Sequence, residues 1–222
     1  MTMDWEAVRL SLRLATCTTL ILCVLGLPLA YWLAVSRWRG KFLLEAVVAL
    51  PLVLPPSVLG FYLLYAFGRY SSFGRGYESL TGRTLAFSFP GLVIASVLYN
   101  LPFAVRPFVA AFSAVDRRLV EASWCLGVSR LATFSRVVVP LSWAGILTGI
   151  VLSFAHTVGE FGVVLMVGGN LRGITRTVSV AIYDDVEALN YAAAGQTALF
   201  LLLFSFAALA VTYALQRRAW VL

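Results

Sequence analysis

Five long runs without a charged side chain constrain this chain more than any other feature of its sequence. Each run contains at least 22 residues, and together they occupy 14–36, 46–68, 84–105, 137–159 and 188–216. An α-helix needs about 20 predominantly apolar residues to cross the hydrocarbon core of a bilayer. The runs are continuous, whereas a membrane β-barrel is built from alternating segments of about 10 residues. The sequence therefore predicts an all-α polytopic membrane protein.

The composition agrees with this class, because 61% of the residues are hydrophobic and only 12% are charged. Soluble domains carry about 25% charged residues. We expect a single transmembrane domain over 1–222, with five spans at about 14–36, 43–67, 85–111, 137–166 and 192–215. The opening residues lack a basic region ahead of the first apolar run, so we expect this span to remain in the mature protein.

Two connecting segments and one span have compositions that differ from a continuous apolar helix. The segment 68–84 is rich in Gly and Ser and is predicted to be irregular. The segment 171–191 contains three acidic residues, so we expect a short interfacial helix there and not a span. The first half of the second span contains Pro51, Pro55 and Pro56. Prolines at membrane depth interrupt the backbone hydrogen bonds, which predicts that this span lines a cavity or a packed interface.

Basic clusters near the span ends predict the orientation of the chain. Nine Lys and Arg residues fall on one side of a five-span arrangement, after span one, after span three and after span five. Cytoplasmic loops carry such clusters, so the N-terminus is expected outside and the C-terminus inside. The net charge of +7 is explained in the same way. We therefore expect contact with the lipid bilayer and no nucleic-acid partner.

The predicted cytoplasmic loop between spans three and four, at about 116–136, has a helical pattern. An amphipathic helix is expected from about Arg117 to Leu126, ending at Gly127, because glycine adopts the left-handed conformation that terminates a helix. A second short helix should follow, with Pro140 near the start of span four. Two short helices joined by a turn would present a surface at the membrane face for another protein.

This loop resembles the signature of the permease subunits of bacterial ABC importers, which reads Glu-Ala-Ala, three residues, Gly, nine residues, Ile-x-Leu-Pro. The matching residues in this chain are Glu121, Ala122, Ser123, Gly127 and, after Val137-Val138-Val139, Pro140. The resemblance implies the type I importer fold, with the loop as a coupling helix that docks into a separate cytoplasmic ATPase subunit. It also implies a homodimer in the cell inner membrane and an external solute-binding protein that delivers the substrate.

A second resemblance concerns the substrate. The stretch 156–184, which contains "GEFGVVLMVGGN" and "TRTVSVAIYD", is similar to molybdate permeases, as are "LPLVLPPSVLG" and "LPFAVRPF". The resemblance implies a permease for molybdate. Its relatives include tungstate and sulfate permeases, so these two oxyanions remain alternatives.

His156 and Glu160 lie four residues apart and would share one face of a helix. Two such ligands do not make a metal site, and no third ligand accompanies them at a useful spacing. An ionisable group at membrane depth usually faces a bundle interior or a water-filled path. We therefore expect Glu160, with Gly159 and Gly162, along a translocation path; the alternative is an ion pair with Arg106 or another chain. The glycines indicate either close helix packing or a bent gating segment.

The sequence gives no basis for an enzyme or for a bound cofactor. "GGN" lacks the Lys-Ser/Thr end of a phosphate-binding loop, so ATP is expected to bind to the partner subunit. No nucleophile, base and orienting group occur together, so we predict no catalytic residues. A stand-alone channel or secondary transporter is the alternative from another class, with only Glu160 and the prolines of span two in its favour.

Overall fold

The computed structural model describes the backbone of residues 3–219 and the side chains as far as Ala214. Within that part of the chain the structure is helical and contains no strand, which confirms the all-α prediction. The helices are α1 Trp5–Val35, α2 Lys41–Val53, α3 Pro56–Phe67, α4 Ser72–Thr81, α5 Phe89–Ser113, α6 Arg117–Cys125, α7 Arg130–Thr133, α8 Val139–Gly159, α9 Gly162–Gly168, α10 Val178–Glu187 and α11 Tyr191–Ala219. A π-helical turn, Phe134–Val138, joins α7 to α8.

Three helices, α1, α5 and α11, are long and apolar enough to cross a membrane as single elements. Two further candidates are bent pairs. Helices α2 and α3 meet at 109°, and Arg130–Leu141 meets Trp143–Gly159 at 74°. Counting each bent pair as one span gives five. The α2–α3 bend falls at Pro55 and Pro56, where the preceding Leu54 takes an extended conformation that a following proline favours.

Two local predictions from the sequence are wrong. The segment 68–84 is not irregular, because it contains α4. This helix begins at Ser71, whose hydroxyl accepts a hydrogen bond from Gly74 N at 2.8 Å, and ends at Gly82 in the left-handed conformation. A serine that caps the first turn and a glycine after the last turn are the usual helix boundaries.

The other error concerns the fourth span, which is not one helix over 137–166. Helix α8 ends at Gly159, Glu160 is extended, and α9 starts at Gly162. Glycine is the poorest helix former after proline, and two glycines flank the break. The Ser179 hydroxyl donates to the Glu160 carbonyl, which holds the extended residue in place. The predicted short helix within 171–191 is present as α10.

Helix α1 connects the two ends of the bundle and shows which segments share an end. Near its C-terminus, the Tyr31 ring lies 4.7 Å from the Phe134 ring, in the π-helical turn. Near its N-terminus, Asp4 lies 3.4 Å from buried Arg176, which also lies 3.3 Å from Asp184 in α10. The basic segment 37–41 and the loop 116–136 therefore lie at one end, and the segment 170–187 lies at the other.

Helices α5 and α8 pack closely because α8 presents glycines at their contact. A Cβ atom added to Gly145 would lie 2.4 Å from Ala111 Cβ, and one added to Gly149 would lie 2.5 Å from Phe108 Cε1. Phe108 is fully buried, so its ring has no space to move aside. Small residues let membrane helices approach in this way, where packing replaces the hydrophobic effect as the force between helices.

The close contact of α5 and α8 predicts that a methyl group added at Gly149 lowers the stability of the protein. Gly149→Ala should destabilise the protein by roughly 1–3 kcal/mol, the usual cost of overpacking a well-packed interior. Thermal unfolding in detergent micelles measures the effect. Gly195→Ala in α11 is the matched control, because a Cβ there has nothing within 4 Å. Equal unfolding midpoints for the two variants would contradict the close approach of α5 and α8.

Candidate translocation path and coupling surface

The break between α8 and α9 opens a cavity of about 430 Å³. It is lined by Pro56, Tyr99, Ala155, His156, Gly159, Glu160, Phe161 and Gly162. Asn100, which contacts two of these residues, lies near the middle of the 25-residue helix α5. A helix of this length spans about 37 Å, so the cavity lies at about half the depth of the bundle.

Glu160 is buried at this cavity, with 4% of its surface exposed. Asn100 Nδ2 donates to Glu160 Oε2 at 3.2 Å and to the Ser96 carbonyl at 2.9 Å. The second carboxyl oxygen, Oε1, has no hydrogen-bond partner among the described residues. The alternative of an ion pair with Arg106 is wrong for this chain, because Arg106 is exposed and the ion pairs of the described residues do not include it.

His156 joins the same group from the last turns of α8. Its Nδ1 atom lies 2.8 Å from Asn100 Oδ1. Its ring stacks on Phe103, with 3.8 Å between the ring centroids and 25° between the planes. Because both amide hydrogens of Asn100 are donated elsewhere, Oδ1 accepts and His156 Nδ1 carries a hydrogen. The sequence analysis assigned no role to Asn100. Its polar side chain within an otherwise apolar run could have indicated a buried hydrogen-bonding role.

The two predicted path glycines have different environments. A Cβ on Gly162 would lie 2.7 Å from Pro56 Cβ, so this glycine permits close packing of α9 against α3. Gly60 does the same from α3, opposite Met166. Gly159 has open space around it and is exposed at the cavity. Close packing and a bent segment, the two interpretations left open by the sequence, therefore occur together.

The predicted loop helix is present as α6, with Asp116 capping its start by accepting a hydrogen bond from Arg118 N at 2.8 Å. Gly127 has a φ of +79°, which confirms the expected left-handed stop. Glu121 and Ala122 are exposed, and Glu121 pairs with Arg117 at 2.8 Å. Pro140 is exposed in the first turn of α8. Four of the five predicted coupling residues thus face away from the bundle interior.

Ser123 is the exception, and it holds the loop together. Its hydroxyl lies 2.8 Å from the Thr133 hydroxyl, and both side chains are buried between α6 and α7. Ser123 occupies the position of the second alanine in the signature. The Ser123–Thr133 hydrogen bond is a polar bridge between the two short helices.

The loop also presents large apolar side chains to solution. Leu126 is 83% exposed and Leu131 is 78% exposed, and Leu119 and Trp124 are exposed beside them. The Arg130 guanidinium lies over the Trp124 ring, 5.8 Å from its centroid. A contiguous apolar surface with a polar rim is typical of a protein interaction site.

The described residues form a helical bundle of up to five spans, with a cavity at a broken helix and a loop of short helices at one end. A crystal structure of a bacterial ABC transporter for alginate import matches it with a TM-score of 0.77 and 16% identity, over 96% of this chain and 78% of that one. The MetNI methionine transporter matches with a TM-score of 0.71 and 15% identity, over 96% and 94%. These similarities establish the fold.

The sequence comparison is more specific. Residues 26–221 match the family described as the inner membrane component of binding-protein-dependent transport systems, and this chain belongs to that family. It is 51% identical to the molybdenum transport system permease ModB of Azotobacter vinelandii, over 96% of this chain and 95% of that protein. It is 38% identical to ModB of Escherichia coli K12, over 83% and 80%. The protein is therefore a multi-pass component of the inner membrane.

The Ser123–Thr133 bridge predicts non-additive effects of substitution. Ser123→Ala should destabilise the loop by about 1–3 kcal/mol, because it leaves a buried hydroxyl without its partner. Adding Thr133→Val should recover most of this loss, since an apolar side chain of similar shape replaces the hydroxyl. Hydrogen exchange of the α6 amides measures the loss. Ser135→Ala, at an exposed position, is the control, and a double variant no more stable than Ser123→Ala would refute the bridge.

Proposed function

We propose that this chain is the permease subunit of an ATP-driven molybdate importer. The observation that carries the proposal is the 51% identity to a molybdenum permease over 96% of this chain and 95% of that protein. Tungstate is expected to follow molybdate closely, and sulfate is expected to be a poor substrate. The family membership and the coupling loop disfavour a stand-alone channel or secondary transporter.

The functional assembly contains a second permease copy, ATPase subunits that hydrolyse ATP and a solute-binding protein that delivers the substrate. Two copies of the permease form a homodimer with the translocation path at their interface, within the lipid bilayer. Two ATPase subunits bind the loops 116–136 and hydrolyse ATP, and this chain itself is not an enzyme. A solute-binding protein delivers the oxyanion from outside. The exposed residues Trp124, Leu126 and Leu131 support this arrangement, because they form an apolar surface on a backbone held by Ser123 and Thr133.

A continuous helical segment connects the loop to the cavity, so a movement of the loop would displace the cavity end of α8. Helix α7 continues through the π-helical turn into α8, and α8 ends at the cavity beside Gly159. Pro140 removes a backbone donor at the start of α8, and the helix bends by 74° next to it. Closing of the ATPase dimer would pull the two loops together and tilt α8. Bent positions of this kind absorb the changes that accompany switching between two states.

Selection among oxyanions is assigned to the solute-binding protein. Spans one, two, four and five carry no Lys or Arg in their centres, so these spans hold no cluster of fixed positive charge that would bind a dianion tightly. A weak site suits a permease, because a transported ion must also leave it. ATP binding and hydrolysis then drive the exchange between outward-facing and inward-facing states, and the bound ligand shifts populations by its different affinity for the two.

The loop predicts a specific loss of coupling. Gly127→Val should abolish import and the stimulation of ATP hydrolysis by the solute-binding protein, because a β-branched residue is strained at a φ of +79°. Gly127→Asn should keep most of both activities, since asparagine tolerates this conformation. Import into proteoliposomes and phosphate release measure the two effects. Normal coupling in Gly127→Val would exclude the loop as the coupling element, provided that the variant is inserted at the normal level.

The substrate is tested in cells. Deletion of the gene should abolish the activity of a molybdenum enzyme such as nitrate reductase at nanomolar molybdate. Millimolar molybdate should restore the activity, because transporters of other oxyanions carry the ion at high concentration. The intact gene on a plasmid is the control and should restore activity at nanomolar molybdate. Unchanged enzyme activity together with a requirement for an organic sulfur source would move the assignment to sulfate.

A further inference from the structure

Two arginines near the start of α1 have no acidic partner within the described part of the chain. Arg9 and Arg13 precede the uncharged run 14–36, at the end of α1 opposite the loop 116–136. Both side chains are exposed, and neither belongs to the ion pairs of the described residues. Basic residues close to a span favour the cytoplasmic side, whereas this end of α1 is the predicted outside. An anionic partner outside the chain would account for both charges.

The length of α1 places the two arginines at the level of the lipid headgroups. Helix α1 continues to Val35, and residues 14–35 rise about 33 Å, close to the roughly 30 Å thickness of the hydrocarbon core. With this stretch centred in the bilayer, Arg13 lies at the boundary of the core and Arg9 lies about 6 Å further out. The headgroup layer begins at this boundary, and the phosphate groups of the lipids are in it.

Both arginines share one face of α1 with Trp5. The three residues are four apart in sequence, so they project within a sector of about 80°. Trp5 is 65% exposed, and its ring meets the Phe200 ring of α11 edge-on, with 6.4 Å between the centroids. Tryptophan is enriched at the membrane–water interface, where its ring lies among the headgroups. Trp5 therefore supports the same depth for this face as the length of the helix does.

Beyond the arginines, toward the centre of the bilayer, the same side of α1 is apolar and exposed. Leu20 is 61% exposed and Val24 is 71% exposed. Thr16 lies between them and Arg13, and its hydroxyl donates to the Leu12 carbonyl at 2.8 Å, so its donor is satisfied within the helix. This stretch lies at the depth of the acyl chains, which a water-soluble protein does not reach. A charged end followed by an apolar stripe matches the headgroup and the chains of a phospholipid.

We propose that Arg9 and Arg13 bind the phosphate group of an anionic phospholipid, in the leaflet opposite the loop 116–136. The guanidinium group suits this role, because its planar fork donates two parallel hydrogen bonds to phosphate oxygens. The Arg13 Cζ atom lies 4.5 Å from the centroid of the Phe89 ring, which holds this guanidinium in place by a cation–π contact. The proposal concerns the bilayer and does not depend on which oxyanion the importer carries.

The acids at the start of α1 do not neutralise the two guanidinium groups. Asp4 lies 3.4 Å from buried Arg176 and is paired with it. The Glu6 carboxyl group is directed toward Gly173, where an added Cβ atom would lie 2.9 Å from Oε1. The face therefore keeps both positive charges. Such a pair favours a headgroup with a net negative charge, as in phosphatidylglycerol, over the zwitterionic phosphatidylcholine.

Native mass spectrometry of the full-length permease in detergent tests the site, with phosphatidylglycerol as the probe. The wild type should bind phosphatidylglycerol about tenfold more tightly than phosphatidylcholine. Arg9→Gln combined with Arg13→Gln should lower the affinity for phosphatidylglycerol about tenfold or more, the loss expected for two basic residues at a headgroup. Arg75→Gln combined with Arg83→Gln is the matched control. It removes the same charge from two exposed arginines that also lie outside the ion pairs of the described residues, and it should change the affinity less than about twofold.

The same spectra distinguish a lipid from two other partners of this face. Millimolar molybdate should not displace phosphatidylglycerol, because a free oxyanion gains nothing from the stripe of Leu20 and Val24. The mass of the oligomer should be the same for the wild type and for the variant at Arg9 and Arg13. The unfolding midpoint of this variant in lipid-free detergent should also equal that of the wild type, since both side chains are exposed.

Each of five results would overturn the proposal. Equal affinity for the two lipids would remove the preference for a negative headgroup, and unchanged affinity in the variant at Arg9 and Arg13 would remove these residues from the site. An equal loss in the control at Arg75 and Arg83 would reduce the effect to overall charge. Displacement of the lipid by molybdate would assign the arginines to a free oxyanion. Loss of a dimer in the variant at Arg9 and Arg13 would assign the face to a second copy of the chain.

Discussion

The close approach of α5 and α8 determines the geometry of the rest of the molecule. Gly145 and Gly149 let α8 lie directly against the Ala111 methyl group and the Phe108 ring of α5. The two helices flank the loop 116–136 at one end of this contact. At the other end, the same contact brings Asn100 of α5 beside His156 of α8. One packed interface thus sets both the base of the loop and the hydrogen-bond chain at the cavity.

The polar residues of the interior act in two different ways. Ser123 and Thr133 satisfy each other and need no third group, so their hydrogen bond stiffens the loop. Glu160 and His156 are only partly satisfied, since each has one atom without a partner among the described residues. A satisfied pair favours one conformation, whereas an incomplete group changes its energy when a ligand arrives. The first arrangement holds α6 against α7, whereas the second leaves polar atoms available at the cavity.

The sequence predicted the features that depend on local pattern. The uncharged runs predicted the helical class and five spans; three helices are long enough to cross as single elements, and the number reaches five if each bent pair is one span. The glycine after an amphipathic stretch predicted the end of α6 just before Gly127. The position of the break was not predicted, because the fourth span was extended through Glu160 to 166, although the uncharged run ends at 159 and the flanking glycines left a bent segment open. Asn100 was missed for another reason. Its partner His156 is 56 residues away, and their contact exists only once α5 and α8 have packed together.

The π-helical turn Phe134–Val138 acts as a one-residue insertion in an otherwise α-helical path. Each residue of an α-helix rotates the chain by about 100°, so one surplus residue sets the azimuth of everything that follows it. The apolar face of the loop therefore points in a direction that α8 alone would not give it. Deletion of one residue within Phe134–Val138 would therefore turn the apolar face of the loop by about 100° relative to α8.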